Sequence, residues 1–163
     1  MDELAELFNS EKYPLLAEHV NIVLLKKKEI AVQQGEMSPG LWYINKGSCQ
    51  VNMQVPHSRR KISLAQLGKQ QVFGEISFID GSQCTANVIA NQDTECWILR
   101  RELLPALKEI HPKLALECNL RIANTIAKRI RDVMFQVKNP KFSGTVLLSH
   151  KINKKNRKKI KNV

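Results

Sequence analysis

The spacing of apolar residues changes once along the chain, and that change divides it. Up to about position 100 they fall in short runs, at 22–25, 30–33, 41–45, 49–55, 62–67, 85–90 and 95–99, separated by Gly, Pro, Asn and Asp. Short runs rich in β-branched residues with turn chemistry between them predict strands, and this many at this interval predict a small barrel or sandwich. Within 51–55, alternation places Val51, Met53 and Val55 on one face and Asn52 and Gln54 on the other. Beyond that point the period becomes helical. Leu116, Leu120, Ala123, Ala127, Ile130, Met134 and Val137 recur at spacings 4, 3, 4, 3, 4, 3, an a/d seam over three heptads. A second row, Ile122, Ile126 and Val133, lies beside the seam, so the helix is expected to serve two surfaces: its own strands and a partner.

Size narrows the picture. A chain of 163 residues with 43% hydrophobic content supports one soluble domain with a sizeable core. The expected division is a globular unit over 1–137, flanking helices included, and a remainder over 138–163. Asn139-Pro140 ends the helix, because the residue before a proline is pushed out of the helical region. The apolar stretch that follows, FSGTVLL at 142–148, is too short for a domain and is expected to lie on the barrel or across a partner. No apolar run reaches the ~20 residues a bilayer crossing requires. The acidic start MDELAEL lacks the basic and apolar regions of a signal peptide, so a cytoplasmic protein is expected.

Candidate chemistry is sparse. Cys49, Cys84, Cys96 and Cys118 show neither C-x-x-C spacing nor a neighbouring histidine, which argues against a zinc site or a disulfide framework. Cys49 and Cys96 fall in strand runs and read as small buried hydrophobes, while Cys84 lies in a loop where a reactive thiol is the alternative to packing. The four histidines are scattered, and no nucleophile and base can be paired from the sequence. No catalytic residues, metal or cofactor are expected.

The net charge of +11 has a local origin. No acid follows Asp132, whereas nine cations do, leaving 17 cations against 15 acids in 1–132. Lys151, Lys154, Lys155, Arg157, Lys158, Lys159 and Lys161 crowd into KINKKNRKKIKNV, which has no period able to pack and reads as a disordered basic tail. Such a run suits an anionic partner, nucleic acid or a membrane face, or serves only as a solubilising end. It lacks interleaved aromatics for stacking on bases.

The most specific stretch is FGEISFIDGSQCTANV at 73–88. It resembles the phosphate-binding cassette of cyclic-nucleotide-binding domains, of the catabolite activator and protein kinase regulatory subunit type, in which F-G-E leads through a turn of helix and a loop to R-x-x-x-V. The resemblance extends through Tyr43-Ile44-Asn45-Lys46-Gly47 upstream to ECWILR downstream, over most of the chain. It implies an α+β, mainly β fold: a β-roll, or jelly-roll-like barrel, with N-terminal helices and a long C-terminal helix of the dimerisation type. It implies cAMP or cGMP as the ligand class, with Phe73, Gly74, Glu75, Ile76, Gln83, Cys84 and Thr85 around the pocket and Glu75 accepting from the ribose hydroxyl.

The same register puts Cys84 where the family keeps the arginine that grips the cyclic phosphate. A guanidinium makes charge-assisted, often bidentate bonds, and a thiol is a weak, uncharged donor. Taking ~3–4 kcal/mol for the exchange, affinity falls several hundredfold. By sequence alone the pocket has lost its cation. Polar base-contacting side chains near the end of the helix are absent too, because Val133 and Met134 stand there.

Three readings follow. The chain is a degenerate regulatory module that dimerises through the 116–137 seam and acts on another protein chain. Alternatively, it is a working nucleotide sensor using backbone N–H groups, Glu75 and Thr85, or it binds an anionic surface through its tail. The 26 residues after Val137 do not contain the two helices and turn of a DNA reader, so a stand-alone regulatory module is expected.

Overall fold

The computed structural model describes residues 3–55 and 61–138. A 3-10 helix, Glu3–Phe8, and the short helix α1, Pro14–Ala17, precede eight strands: β1 Val20–Leu25, β2 Ile30–Val32, β3 Gly40–Lys46, β4 Cys49–Gln54, β5 Lys61–Leu67, β6 Val72–Phe73, β7 Asn87–Ala90 and β8 Thr94–Arg100. Helix α2, Glu75–Asp80, interrupts them between β6 and β7, and α3, Leu103–Ile110, and α4, Pro112–Lys138, follow. The strands form two four-stranded antiparallel sheets, ordered β1-β8-β3-β6 and β2-β7-β4-β5. Consecutive β3 and β4 lie in different sheets, which is how the chain rolls up. The expected β-roll with helices at both ends is what forms.

Strand β3 shows why this roll needs the helices. Its residues 40–44 are buried without a break, against the alternation of a half-exposed strand. Trp42 and Ile44 face the interior between the sheets, with Cys49, Val51, Phe73, Val88, Cys96 and Ile98. Leu41 and Tyr43 face outward into a second core with Leu4, Leu7, Phe8, Leu16, Phe78, Leu107, Cys118 and Ile122 from the helices. Phe8 stacks on Tyr43 with ring centroids 5.1 Å apart. One sheet is therefore packed on both sides.

The strands match the apolar runs except at three places. β6 is only two residues long, too short for any period to mark it. Thr85 and Ala86 stay in the loop before β7 rather than joining it. A bulge between Val51 and Asn52 in the pairing of β4 with β5 blurs the expected two-faced pattern, so that Met53 and Val55 are only half-buried, like Asn52 and Gln54. The segment 56–60 between β4 and β5, and the stretches 139–148 and 151–163, lie outside the described residues. No helix among the described residues is long and apolar enough to cross a membrane.

Candidate functional site

Gly74 turns the chain from β6 into α2 with φ at +83°, a left-handed conformation that a side chain makes unfavourable. A Cβ there would also stand 3.0 Å from the Gly40 carbonyl oxygen and 3.3 Å from Trp42 Cδ1. Trp42 in turn stacks on Phe73, centroids 5.7 Å apart and planes 11° from parallel. This tight packing fixes the start of α2, and Glu75 at its first position is turned inward and buried.

At the other end of α2, Asp80 accepts the Ser82 N–H at 2.8 Å and the Ser82 hydroxyl at 2.7 Å, which holds its carboxyl below the usual range. The loop that follows is strapped to the β2–β3 turn. The Cys84 N–H donates to the Glu36 carbonyl at 2.8 Å, the Gly35 N–H donates to the Cys84 carbonyl at 2.8 Å, and Met37 bridges Gln83. Cys84 points inward to the apolar interior of the roll, 6% exposed, with the Ser77 hydroxyl 3.8 Å from its sulfur.

These elements enclose a cavity of about 100 Å³ lined by Phe73, Gly74, Glu75, Ile76, Ser77, Cys84, Thr85 and Arg129, with Val32, Val51, Leu64, Leu67, Ala86 and Val88 behind them. Of the seven residues read from the sequence, Gln83 is the one outside this lining; it is exposed on the loop. Ser77 and Arg129 were not foreseen there.

Arg129 corrects the expectation that the pocket holds no cation. It projects from α4, its Nη1 paired with Glu75 Oε1 and its Nη2 donating to the Val72 carbonyl at 2.7 Å; its side chain is 11% exposed and that of Glu75 7%. A signal for it was present in the sequence. Ile122, Ile126 and Val133 make the strand-facing row of the helix, and Arg129 falls into the same row, three residues after Ile126 and four before Val133. A charged residue on an apolar face needs a buried counter-charge. Val133 and Met134 do not line the cavity; Val133 is half-buried and Met134 exposed.

A second set of contacts holds α4 nearer its start. The Tyr13 hydroxyl donates to Glu117 Oε1 at 2.5 Å, and Arg121 reaches the same oxygen at 3.1 Å, Glu6 at 3.2 Å and the Glu3 carbonyl at 3.3 Å. Burial, followed by the Glu117 bond, raises the Tyr13 pKa, while the Tyr13 and Arg121 bonds lower that of Glu117. Ala115, Cys118, Ile122 and Thr125 are buried beneath the helix. The opposite stripe is open: Leu116, Leu120, Ile130 and Met134 are all more than half exposed, Ala123 is exposed and Ala127 half-buried. The side chain of Val137 lies outside the described ones.

Comparison with known proteins bears on this arrangement. The sequence model of the family described as cyclic nucleotide-binding domain matches residues 22–111. The chain is 28% identical over 111 residues to cyclic GMP-binding protein C of Dictyostelium discoideum, an alignment covering 64% of this chain and 4% of that protein. A cyclic nucleotide-binding domain from Methylobacillus flagellatus superposes with a TM-score of 0.74 at 23% identity, over 87% of this chain and 84% of that one. The catabolite activator protein of Thermus thermophilus superposes with a TM-score of 0.69 at 25% identity, over 83% of this chain and 63% of that one. The chain thus spans under two thirds of the activator and a small fraction of the Dictyostelium protein.

Proposed function

The chain belongs to the cyclic nucleotide-binding domain family, and from that premise we propose that it is a non-enzymatic regulatory module whose cassette holds cAMP and cGMP far more weakly than an arginine-bearing cassette does. It dimerises through α4 and passes its signal to another protein chain. The observation that carries the reading is the position of Cys84. Its side chain is buried in the apolar interior beside Ser77, and its N–H is taken up by Glu36, so it offers a phosphate neither charge nor backbone donor. Among the described residues lining the cavity, Arg129 is the cation and Glu75 the anion, and they face each other. The pair presents no net charge to an anion, and the cavity of about 100 Å³ is below the ~300 Å³ at which ligand sites begin.

The dimer follows from the open stripe on α4. Its large apolar side chains lie on the face turned away from the roll, and leaving such a continuous stripe in water is unfavourable. A nucleotide sensor relying on backbone N–H groups loses one of those donors, because the Cys84 N–H is bonded to Glu36. An anionic partner for the tail remains the reading for the lysine cluster at 151–161.

Calorimetric titration of cAMP and cGMP into wild type and Cys84→Arg tests the proposal. The wild type is expected to bind near or above ~0.1 mM and the variant about a hundredfold tighter. A melting curve on the variant separates lost fold from unimproved binding. Micromolar binding by the wild type would overturn the reading whatever the variant does.

A further inference from the structure

We propose that Arg129, supplied by α4, is the residue that carries the negative charge of a phosphate-bearing ligand in this cavity, with Glu75 holding the guanidinium there until an anion takes its place. The proposal rests on reading the cavity as a ligand site and assigns that site its anion-binding residue. Position 84 cannot do the work, since it is a buried thiol whose N–H is already bonded. The guanidinium that lines the same cavity comes instead from a helix more than forty residues downstream in the sequence.

The geometry suits an exchange. Arg129 is fixed from below by the Val72 carbonyl through Nη2 and meets Glu75 through Nη1. A guanidinium carries five donors in a planar fork, so it can keep the Val72 bond while trading a carboxylate oxygen for a phosphate oxygen. Glu75 is then released to accept from a hydroxyl. Space favours a small anion first: at about 100 Å³ the cavity is well below the ~300 Å³ at which ligand sites begin, so a whole nucleotide requires α4 or the loop at Ile76 and Thr85 to move. A nucleotide whose phosphate is gripped by Arg129 therefore couples the cavity directly to α4, the helix that carries the open stripe.

The test uses inorganic phosphate, which has no ribose and so isolates the charge. Binding is measured by calorimetry or amide chemical shifts on the full chain for wild type, Glu75→Gln and the double variant Glu75→Gln/Arg129→Gln. Removing the competing carboxylate is expected to tighten phosphate binding by about tenfold or more, and the double variant, which has neither charge, is expected to lose that gain. Equal binding by Glu75→Gln and the double variant overturns the proposal, as does a Glu75→Gln variant no tighter than wild type. If Glu75→Gln melts below the assay temperature, Arg129→Lys replaces it: affinity for cGMP should fall severalfold because the fork is lost, and an unchanged affinity overturns the assignment. A failure of Cys84→Arg to gain affinity would count against the weakened cassette while leaving these outcomes intact, so the two readings fail separately.

Discussion

Glu75, at the first position of α2, and Arg129, midway along α4, form an ion pair whose side chains are 7% and 11% exposed. The pair joins the cassette to the long helix across a chain separation that no local contact spans. Two charges taken out of water hold each other, and removing one strands the other.

Arg129→Ala is therefore expected to destabilise the fold by about 3–5 kcal/mol, read from chemical denaturation. The double variant Glu75→Gln/Arg129→Gln should recover most of that loss, because no buried charge is left uncompensated. A double variant as unstable as the single one would show that the pair's charge is not what matters.

The two faces of α4 predict opposite responses to truncation. Ile122 is fully buried against the roll, and Ile122→Ala should cost about 2–5 kcal/mol in any oligomeric state. Leu120 is 54% exposed on the other face, and Leu120→Asp should leave the folded monomer nearly as stable while weakening self-association at least about tenfold in sedimentation velocity. Unchanged sedimentation of a Leu120→Asp/Ile130→Asp protein would remove α4 as the dimer contact.

Acid should loosen the start of α4. Glu117 has a lowered pKa, first through the Tyr13 hydroxyl and then Arg121, and Glu6 is lowered chiefly by Lys12. A carboxylate whose folded pKa lies below its unfolded value of 4.5 contributes stability that is present above that value and lost as pH falls through the lowered one. Glu117→Gln should flatten the loss of urea resistance below about pH 4.5. At the alkaline end the sign reverses: Tyr13, raised by burial and by Glu117, contributes stability that is present below its ordinary value of 10.0 and lost as pH rises past the folded one. Tyr13→Phe should remove that alkaline loss.

Gly74→Ala is expected to destabilise by about 1–3 kcal/mol in denaturant melts, through the left-handed backbone and the contact with the Gly40 carbonyl. A neutral result would mean the β6–α2 turn can relax without disturbing Trp42.

The strands were legible because each is a run of apolar residues bounded by turn residues, and burial selects for that pattern wherever one sheet face is dry. β6 escaped because two residues carry no period; β3 was read as the run at 41–45, but its double burial, against the roll on one side and Phe8 and Leu16 on the other, shows in sequence only as a hydrophobic run. The cassette was legible as F-G-E followed by a loop and a valine. The exposed stripe of α4 and its strand-facing row were legible from spacing alone.

What the sequence determined by itself was the kind of fold, a cysteine and no arginine at position 84, and the two faces of α4, since each is written in residues close together along the chain. The meeting of Arg129 with Glu75 was decided only by tertiary structure. Fifty-four positions separate the two in the chain, and local spacing sets which way a side chain points on its helix but not what stands opposite once the helix folds back. The electrostatics of a buried cavity belong to the whole set of charges brought to it, and that set exists only in the folded chain.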